Sequence, residues 1–197
     1  MAGILAGIKL KEAGFAEVAI YEKADRIGGT WDLFRYPGVR SDSDMHTLGY
    51  RFKPWTGAPI ATADKILAYM GEVIEENDLG QHIRYNHHIA SASWSTQDAT
   101  WTLVVRDTSP GAGDPATGEG VQRVFTANFL WMCQGYYRHS EGYTPEWEGM
   151  DRFGGRIVHP QTWPEDLDAH ATIEGSATTA PVVGAADLAA TVDLSRG

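Results

Sequence analysis

The sequence predicts an α/β fold in which a parallel sheet carries an inserted antiparallel meander. Three observations predict it. A helical pattern runs directly into a short apolar strand at Val18 to Glu22, a second amphipathic helix spans Ala63 to Asp78, and the apolar spacing changes to alternation between Ile89 and Phe129.

The first element has Ile4, Leu5, Ile8 and Leu10 as apolar positions, with Lys9, Lys11 and Glu12 polar between them. Gly14 sits where a helix end favours a left-handed residue, so a helix is expected from Met1 to Gly14. Val18-Ala19-Ile20-Tyr21-Glu22 then reads as a buried strand ending in a carboxylate, and the Gly-, Asp-, Arg- and Pro-rich run Lys23 to Arg40 as loop. Together these form the second half of a β-α-β unit.

In the second helix Ile66, Leu67, Met70, Val73 and Ile74 share one face, with Thr62 or Asp64 available as the cap and Gly80 near the stop. Ile89 to Trp94, Trp101 to Arg106 and Val121 to Thr126 read as the three strands of the meander, the last two separated by the loop Pro110 to Gly120. Phe129 to Cys133 reads as a final parallel strand. From Ala169 the composition turns to alanine and threonine without aromatics, and Ala185 to Val192 has helical composition but no core face, as in a loosely held tail.

With 197 residues the chain has room for one large domain, or for one domain and part of another, and 43% hydrophobic residues suffice for a core. A net charge of −10 argues against nucleic acid and anionic membranes as partners, since nothing would offset phosphate repulsion. The single cysteine, Cys133, cannot form an internal disulfide, and its apolar surroundings read as those of a buried, inert thiol in a reducing compartment. No apolar run approaches the ~20 residues of a membrane span. No signal-peptide pattern opens the chain, so a soluble, cytoplasmic protein is expected.

Two segments could carry chemistry. Phe153-Gly154-Gly155-Arg156-Ile157-Val158-His159-Pro160-Gln161-Thr162-Trp163-Pro164 fulfils the pattern F-x-G-x-x-x-H-x-x-x-W-P. By itself it describes a rigid connector: a glycine turn, a β-prone run, then prolines that keep the chain out of helix. In it His159 is either a hydrogen-bonded linker residue or a switchable group able to gate a cofactor, and Trp163 a packing anchor or part of that gate. The second segment is Gly28-Gly29-Thr30-Trp31-Asp32-Leu33-Phe34-Arg35-Tyr36-Pro37-Gly38-Val39-Arg40-Ser41-Asp42. Adjacent glycines let backbone lie against a flat ligand, and Trp31, Phe34 and Tyr36 add aromatic surface. Asp42 has two readings. Beside Arg40 it stays ionised and orients a guanidinium or an amide, or it is the N-cap of a helix beginning near Ser43.

The fingerprint segment, G-G-T-W and R-Y-P-G-x-R-x-D together resemble the type I Baeyer-Villiger monooxygenases and the wider flavin-containing monooxygenases. These are flavoenzymes that use NADPH and O2 to insert oxygen next to a carbonyl or into a heteroatom. The likeness extends over Gly3 to Asp168 and includes Ser43-Asp44-Met45-His46-Thr47-Leu48-Gly49-Tyr50-Arg51-Phe52, similar to the subgroup of bacterial ketone and thioamide oxygenases. It implies a Rossmann-like FAD-binding domain, a three-layer parallel sheet with the meander inserted, over residues 1–145. A linker with the fingerprint follows over 146–168, and the remnant of an NADP-binding domain over 169–197.

The resemblance also implies site residues. Gly3 matches the third glycine of G-x-G-x-x-G and Glu22 the acid that accepts the ribose hydroxyls, while Ile89 matches a position whose backbone faces the adenine. Glu22 taken alone is more often a solvated strand-end carboxylate, and Ile89 also reads as a core strand residue. Gly29, Thr30, Trp31, Asp32 and Leu33 line the flavin, Arg40 and Ser41 approach NADPH, and Asp42 is the carboxylate at the reactive face. Asp42, His159 and Trp163 form the catalytic set, and no metal is implied. Trp163 and Pro164 favour Baeyer-Villiger oxygenation over the amine-oxidising relatives, which carry tyrosine at that position.

Departures from the family pattern are equally specific. Gln134 replaces the threonine of C-T-G-Y-Y, and the first strand and first two glycines have no counterpart, so the FAD-binding domain is expected to be incomplete. Thr172 to Pro181 reads as a degenerate form of the G-S-G-A-T-A turn for NADPH, with a glycine lost and Pro181 where a helix should run. Two functions are therefore expected. One is an FAD- and NADPH-dependent monooxygenase acting on a ketone, sulfide or amine with O2, here a fragment with impaired catalysis. The other is a non-catalytic flavin-binding or interaction module of the same descent.

Overall fold

The computed structural model describes residues 1–113, 120–167 and 191–192. Helix α1 covers Ala2–Glu12 and ends in Gly14 at φ +85°, the left-handed closure expected of that glycine. Lys9 and Lys11 lie in its last turn, where they complement the helix dipole. The Lys11 ammonium also donates to the carbonyl of Asn77 at 2.8 Å, tying two helix ends together.

Strand β1 is Ile20–Tyr21 and pairs in parallel with β2, Ile83–Arg84, in the register Ile20 with Ile83 and Tyr21 with Arg84. It is shorter than the expected Val18 to Glu22, although Glu22 extends the ladder by donating to the Arg84 carbonyl at 3.0 Å. Helix α1 crosses β1 at Gly7, where a Cβ would stand 2.7 Å from Ile20 Cδ1. At Gly3 the same construction meets only ordinary contacts, 3.7 Å from Cys133 Cβ and 3.9 Å from Ile20 Cγ2.

Two one-turn helices follow, α2 at Thr30–Leu33 and α3 at Met45–Leu48. Helix α4, Ala63–Glu76, stops two residues before the expected Asp78, which adopts φ +50° and closes the helix instead of continuing it. Thr62 is its N-cap residue but makes no capping bond through its side chain. Ile66, Met70 and Val73 of α4 meet Ile4 and Ile8 of α1 and Met45 of α3 in one core.

The meander comprises β3 (His87–Ser95), β4 (Thr100–Asp107) and β5 (Val121–Ala127), antiparallel in the order β3-β4-β5. Each strand matches its expected position, with a bulge between Ile89 and Ser91. Leu103 and Val105 supply its buried face. Strand β6 (Ile157–Val158) pairs antiparallel with β7 (Thr191–Val192). Thr191 and Val192 are thus strand where helical composition suggested otherwise; the rest of the tail, including Thr172 to Pro181, lies outside the described residues.

Phe129 to Cys133 corrects the sequence expectation. It forms no strand: among the described residues no ladder joins it to a neighbouring strand. Phe129, Trp131 and Met132 are correspondingly exposed.

Candidate functional site

The Gly28-Gly29 pair shapes one end of the site, and its two glycines are needed for different reasons. Gly28 has φ +143°, and a Cβ there would lie 2.5 Å from Asp32 Cβ and 2.9 Å from Leu67 Cδ2, so bulk is excluded by α2 and α4 together. Gly29 has φ +54° and meets nothing within 4 Å. It therefore presents open backbone at the entry of α2, where Trp31, Asp32 and Leu33 donate back to the carbonyls of Gly28 and Gly29. Trp31 packs against the core, and Asp32 holds Arg35 at 3.0 Å and Arg26 at 3.5 Å.

The following segment is stapled to the start of α4. Ser41 donates its amide to the Ala61 carbonyl at 2.8 Å and accepts the Ala61 amide on its hydroxyl at 3.1 Å, while Ala63 donates to Val39 at 3.1 Å. Extended backbone alternates its side chains. Ser41 is consequently buried and Asp42 exposed. Asp42 does not cap the next helix: Asp44 does, accepting the His46 amide at 2.7 Å. Nor does Asp42 pair with Arg40, whose guanidinium turns to the Gly38 carbonyl at 2.9 Å. The Asp42 carboxylate accepts only the Ser43 hydroxyl at 3.2 Å among the described side chains.

An aromatic cluster lies within electrostatic reach of that carboxylate. Phe34 stands edge-on to Tyr36 at 6.2 Å and to Tyr137 at 5.6 Å, and Tyr137 lies 4.7 Å from Tyr136. The Tyr36 phenol is raised above its ordinary pKa by burial and then by the Asp42 charge. That of Tyr137 is raised by its bond with Tyr136, then by burial, with Asp42 and Tyr36 adding to the shift. The segment after Cys133 thus meets the glycine-paired loop in space, with Gly135 at φ +73° making the turn.

Gly3 and Glu22 lie at β1, Gly3 against Ile20 and Glu22 at its end, and Ile89 lies in β3. The Glu22 carboxylate accepts the Ala24 amide at 3.0 Å, and the Glu22 carbonyl accepts the amide of His87, where β3 begins. Ile89 pairs with Val105 just before the bulge.

The fingerprint segment folds on itself. His159 caps the turn Pro160–Thr162, its Nδ1 accepting the Gln161 amide at 3.1 Å. Trp163 donates its indole N–H to the Leu167 carbonyl at 2.8 Å, and Arg156 pairs with Asp166 at 3.2 Å. Both readings of His159 and Trp163 therefore start from residues fixed in a connector. No hydrogen bond or ion pair among the described residues joins them to Asp42. Three participants carried no signal of their own in the sequence: Asp44 as the cap, Gly142 against the His159 ring, and Gly7 at the helix–strand crossing.

An FAD molecule fits the residues present. Gly29 leaves backbone free of side-chain bulk beside Thr30 and Trp31, and a half-buried carboxylate, Glu22, stands at the end of β1. Among the described residues no cluster of three His, Cys, Asp or Glu side chains is placed to hold a metal. No helix among them is long and apolar enough to cross a membrane.

A family of sequences described as NAD(P)-binding Rossmann-like domain matches residues 1–55. The chain is 50% identical over 150 residues to the FAD-containing monooxygenase EthA of Mycolicibacterium smegmatis, covering 76% of this chain and 28% of that protein. Among solved structures, an oxidized steroid monooxygenase bound to NADP superposes with TM-score 0.62 at 31% identity over 84% of this chain and 30% of its own. A cyclohexanone-bound cyclohexanone monooxygenase superposes with TM-score 0.62 at 25% identity, over 84% and 30%. The chain thus spans under a third of the length of these relatives.

Proposed function

Because the chain belongs, over the length it shares with them, to the family of FAD-containing monooxygenases, we propose that it serves FAD- and NADPH-dependent oxygenation of the Baeyer-Villiger type. The substrate class is a small ketone, with sulfides or amines as heteroatom alternatives, and O2 is the co-substrate. The single observation that carries this reading is the free Asp42 carboxylate, relieved of capping by Asp44 and close enough to Tyr36 and Tyr137 to raise their phenols.

When bound, FAD and NADPH supply the electrons and the activation of O2. The residues of this chain bind and orient. Gly3, Glu22 and Ile89 hold the adenosine end; Gly29, Thr30, Trp31, Asp32 and Leu33 lie along the flavin. Ser41 fixes the backbone through Ala61 so that Arg40 and Asp42 face outward, Arg40 toward NADPH and Asp42 toward the reacting ring. Phe34, Tyr36 and Tyr137 form an aromatic rim beside that face. His159 and Trp163 belong to the connector that brings the nucleotide in. The uniform reading of net charge −10 and a lone, half-buried Cys133 supports a cytoplasmic protein.

The test is a titration of the purified chain with FAD, followed by NADPH and a cyclic ketone in air. The expected result is quenched flavin emission on binding and ketone-dependent NADPH consumption with lactone formation. Emission that stays unquenched at saturating FAD overturns the proposal. Quenching without ketone-dependent consumption overturns the catalytic part and leaves a flavin-binding module.

A further inference from the structure

Gly142 sits against the fingerprint histidine, and its backbone gives no reason for a glycine. Its φ lies outside the left-handed region that Gly135 and Gly149 occupy on either side. Any residue type could take that conformation. The reason is spatial: a Cβ at position 142 would fall within 2.5 Å of both ring nitrogens of His159. Ordinary contacts between such atoms begin at roughly 3.5 Å.

The ring that fills this slot is held from two further sides. Its Nδ1 accepts the Gln161 amide at 3.1 Å, so a neutral His159 carries its proton on Nε2. The Gln161 side chain in turn donates to the Arg138 carbonyl at 2.9 Å, in the same stretch of chain that carries Gly142. The stretch from Arg138 to Gly142 and the turn from His159 to Thr162 thus clasp each other around one imidazole.

We propose that Gly142 is the positioning residue for the His159 imidazole, its missing side chain leaving the slot in which the ring caps the following turn. A side chain at this position displaces the ring, releases the Gln161 amide and frees both nitrogens to carry the proton. The consequence for catalysis rests on the proposed role of His159 with NADPH. The placement of the ring does not.

Three variants of the whole chain test it: Gly142→Ala, His159→Ala and the double variant. Nitrogen NMR of histidine-labelled protein reads the His159 tautomer, and amide spectra read Gln161. The parent is expected to hold the Nε2–H form, and Gly142→Ala to lose it together with the Gln161 amide position. In FAD-loaded protein, reduction of the flavin by NADPH is expected to fall on the order of 10- to 100-fold in Gly142→Ala. In the His159→Ala background, where the ring is gone, the same substitution should add less than about twofold. Should Gly142→Ala fail to fold, the double variant is expected to melt with His159→Ala, because the collision is removed. Retention of the tautomer and of the Gln161 amide in Gly142→Ala overturns the proposal, as does an undiminished effect in the His159→Ala background. A parent protein that does not reduce flavin refutes the proposed function alone, since the NMR and melting comparisons still decide the position of the ring.

Discussion

The carboxylate of Asp44 accepts the amide of His46 at 2.7 Å, which completes the cap of α3 without Asp42. Two nearby aspartates thereby separate: Asp44 has the structural role, and Asp42 is left free for the proposed one. Asp44→Ala is expected to cost about 1 kcal/mol of stability, the usual value of a side-chain cap. Asp42→Ala, at an exposed position with no cap to lose, should stay within about 0.5 kcal/mol of the parent. Flavin reduction by NADPH should show the reverse order, with the loss in Asp42→Ala. Urea denaturation and stopped-flow absorbance on both variants measure the two effects, and equal stability losses would contradict the assignment.

Gly28 and Gly29 permit a similar separation. Gly28→Ala places a Cβ 2.5 Å from Asp32 Cβ and 2.9 Å from Leu67 Cδ2 at φ +143°. The strained backbone and the collision together should cost roughly 2–4 kcal/mol. Gly29→Ala meets no atom within 4 Å, so it is opposed by the backbone alone, which at φ +54° and ψ −121° lies outside the left-handed helical well. That penalty is about 1–3 kcal/mol. FAD affinity should nevertheless fall in Gly29→Ala, because its methyl group occupies the surface the flavin needs. Thermal melting with and without FAD distinguishes the two: the cofactor-dependent rise in Tm shrinks in Gly29→Ala, whereas Gly28→Ala mainly lowers the melting of the apoprotein.

Asp107 links stability to pH. Its buried carboxylate accepts the Ser109 amide at 3.0 Å and meets Arg123 Nε at 2.8 Å, with His87 Nε2 at 3.7 Å. The Ser109 bonds first, then Arg123, hold its pKa well below the usual carboxylate range. A depressed folded-state pKa stabilises the native protein above the unfolded value, about 4, and that contribution is lost as pH falls below it. Denaturation midpoints should therefore drop steadily below about pH 4 in the parent. Asp107→Asn should be less stable at neutral pH by about 1–3 kcal/mol and show a flatter acid limb. An acid limb unchanged by the substitution would remove Asp107 from the account.

What the sequence carried locally was legible. Each signal lies within one short window: helices α1 and α4 followed from apolar spacing, the meander from alternation, and the 28–42 segment from paired glycines beside aromatics, although the one-turn helix α2 within it was read as loop. Relationships between windows were not. The choice between Asp42 and Asp44 as cap depended on where Ser41 was stapled to Ala61, which no local pattern states. Gly142 carries meaning only once the chain brings His159 onto it. The Asp107 cluster depends on a cross-strand register that single residues do not encode. Phe129 to Cys133 failed in the opposite direction: its composition suits a strand, but a strand exists only through a neighbour.

Tyr69 carries the last such relationship, between the core and the loop above it. Its hydroxyl accepts the Tyr50 amide at 2.8 Å and donates to the Lys53 carbonyl at 2.6 Å, so one side chain satisfies backbone on both sides of a turn. Tyr50 stacks on Tyr69 at 5.6 Å and is buried, and its amide has no water to turn to if the hydroxyl is removed. Tyr69→Phe keeps the ring and all of its apolar contacts but leaves that amide unsatisfied, which should cost about 1–3 kcal/mol. Amide hydrogen exchange at Tyr50 should accelerate in proportion, more than at Val73 in the same core. Exchange that quickens equally at both positions would mean that the substitution loosens the whole core and that the relay through Tyr69 has no separate part in holding the turn.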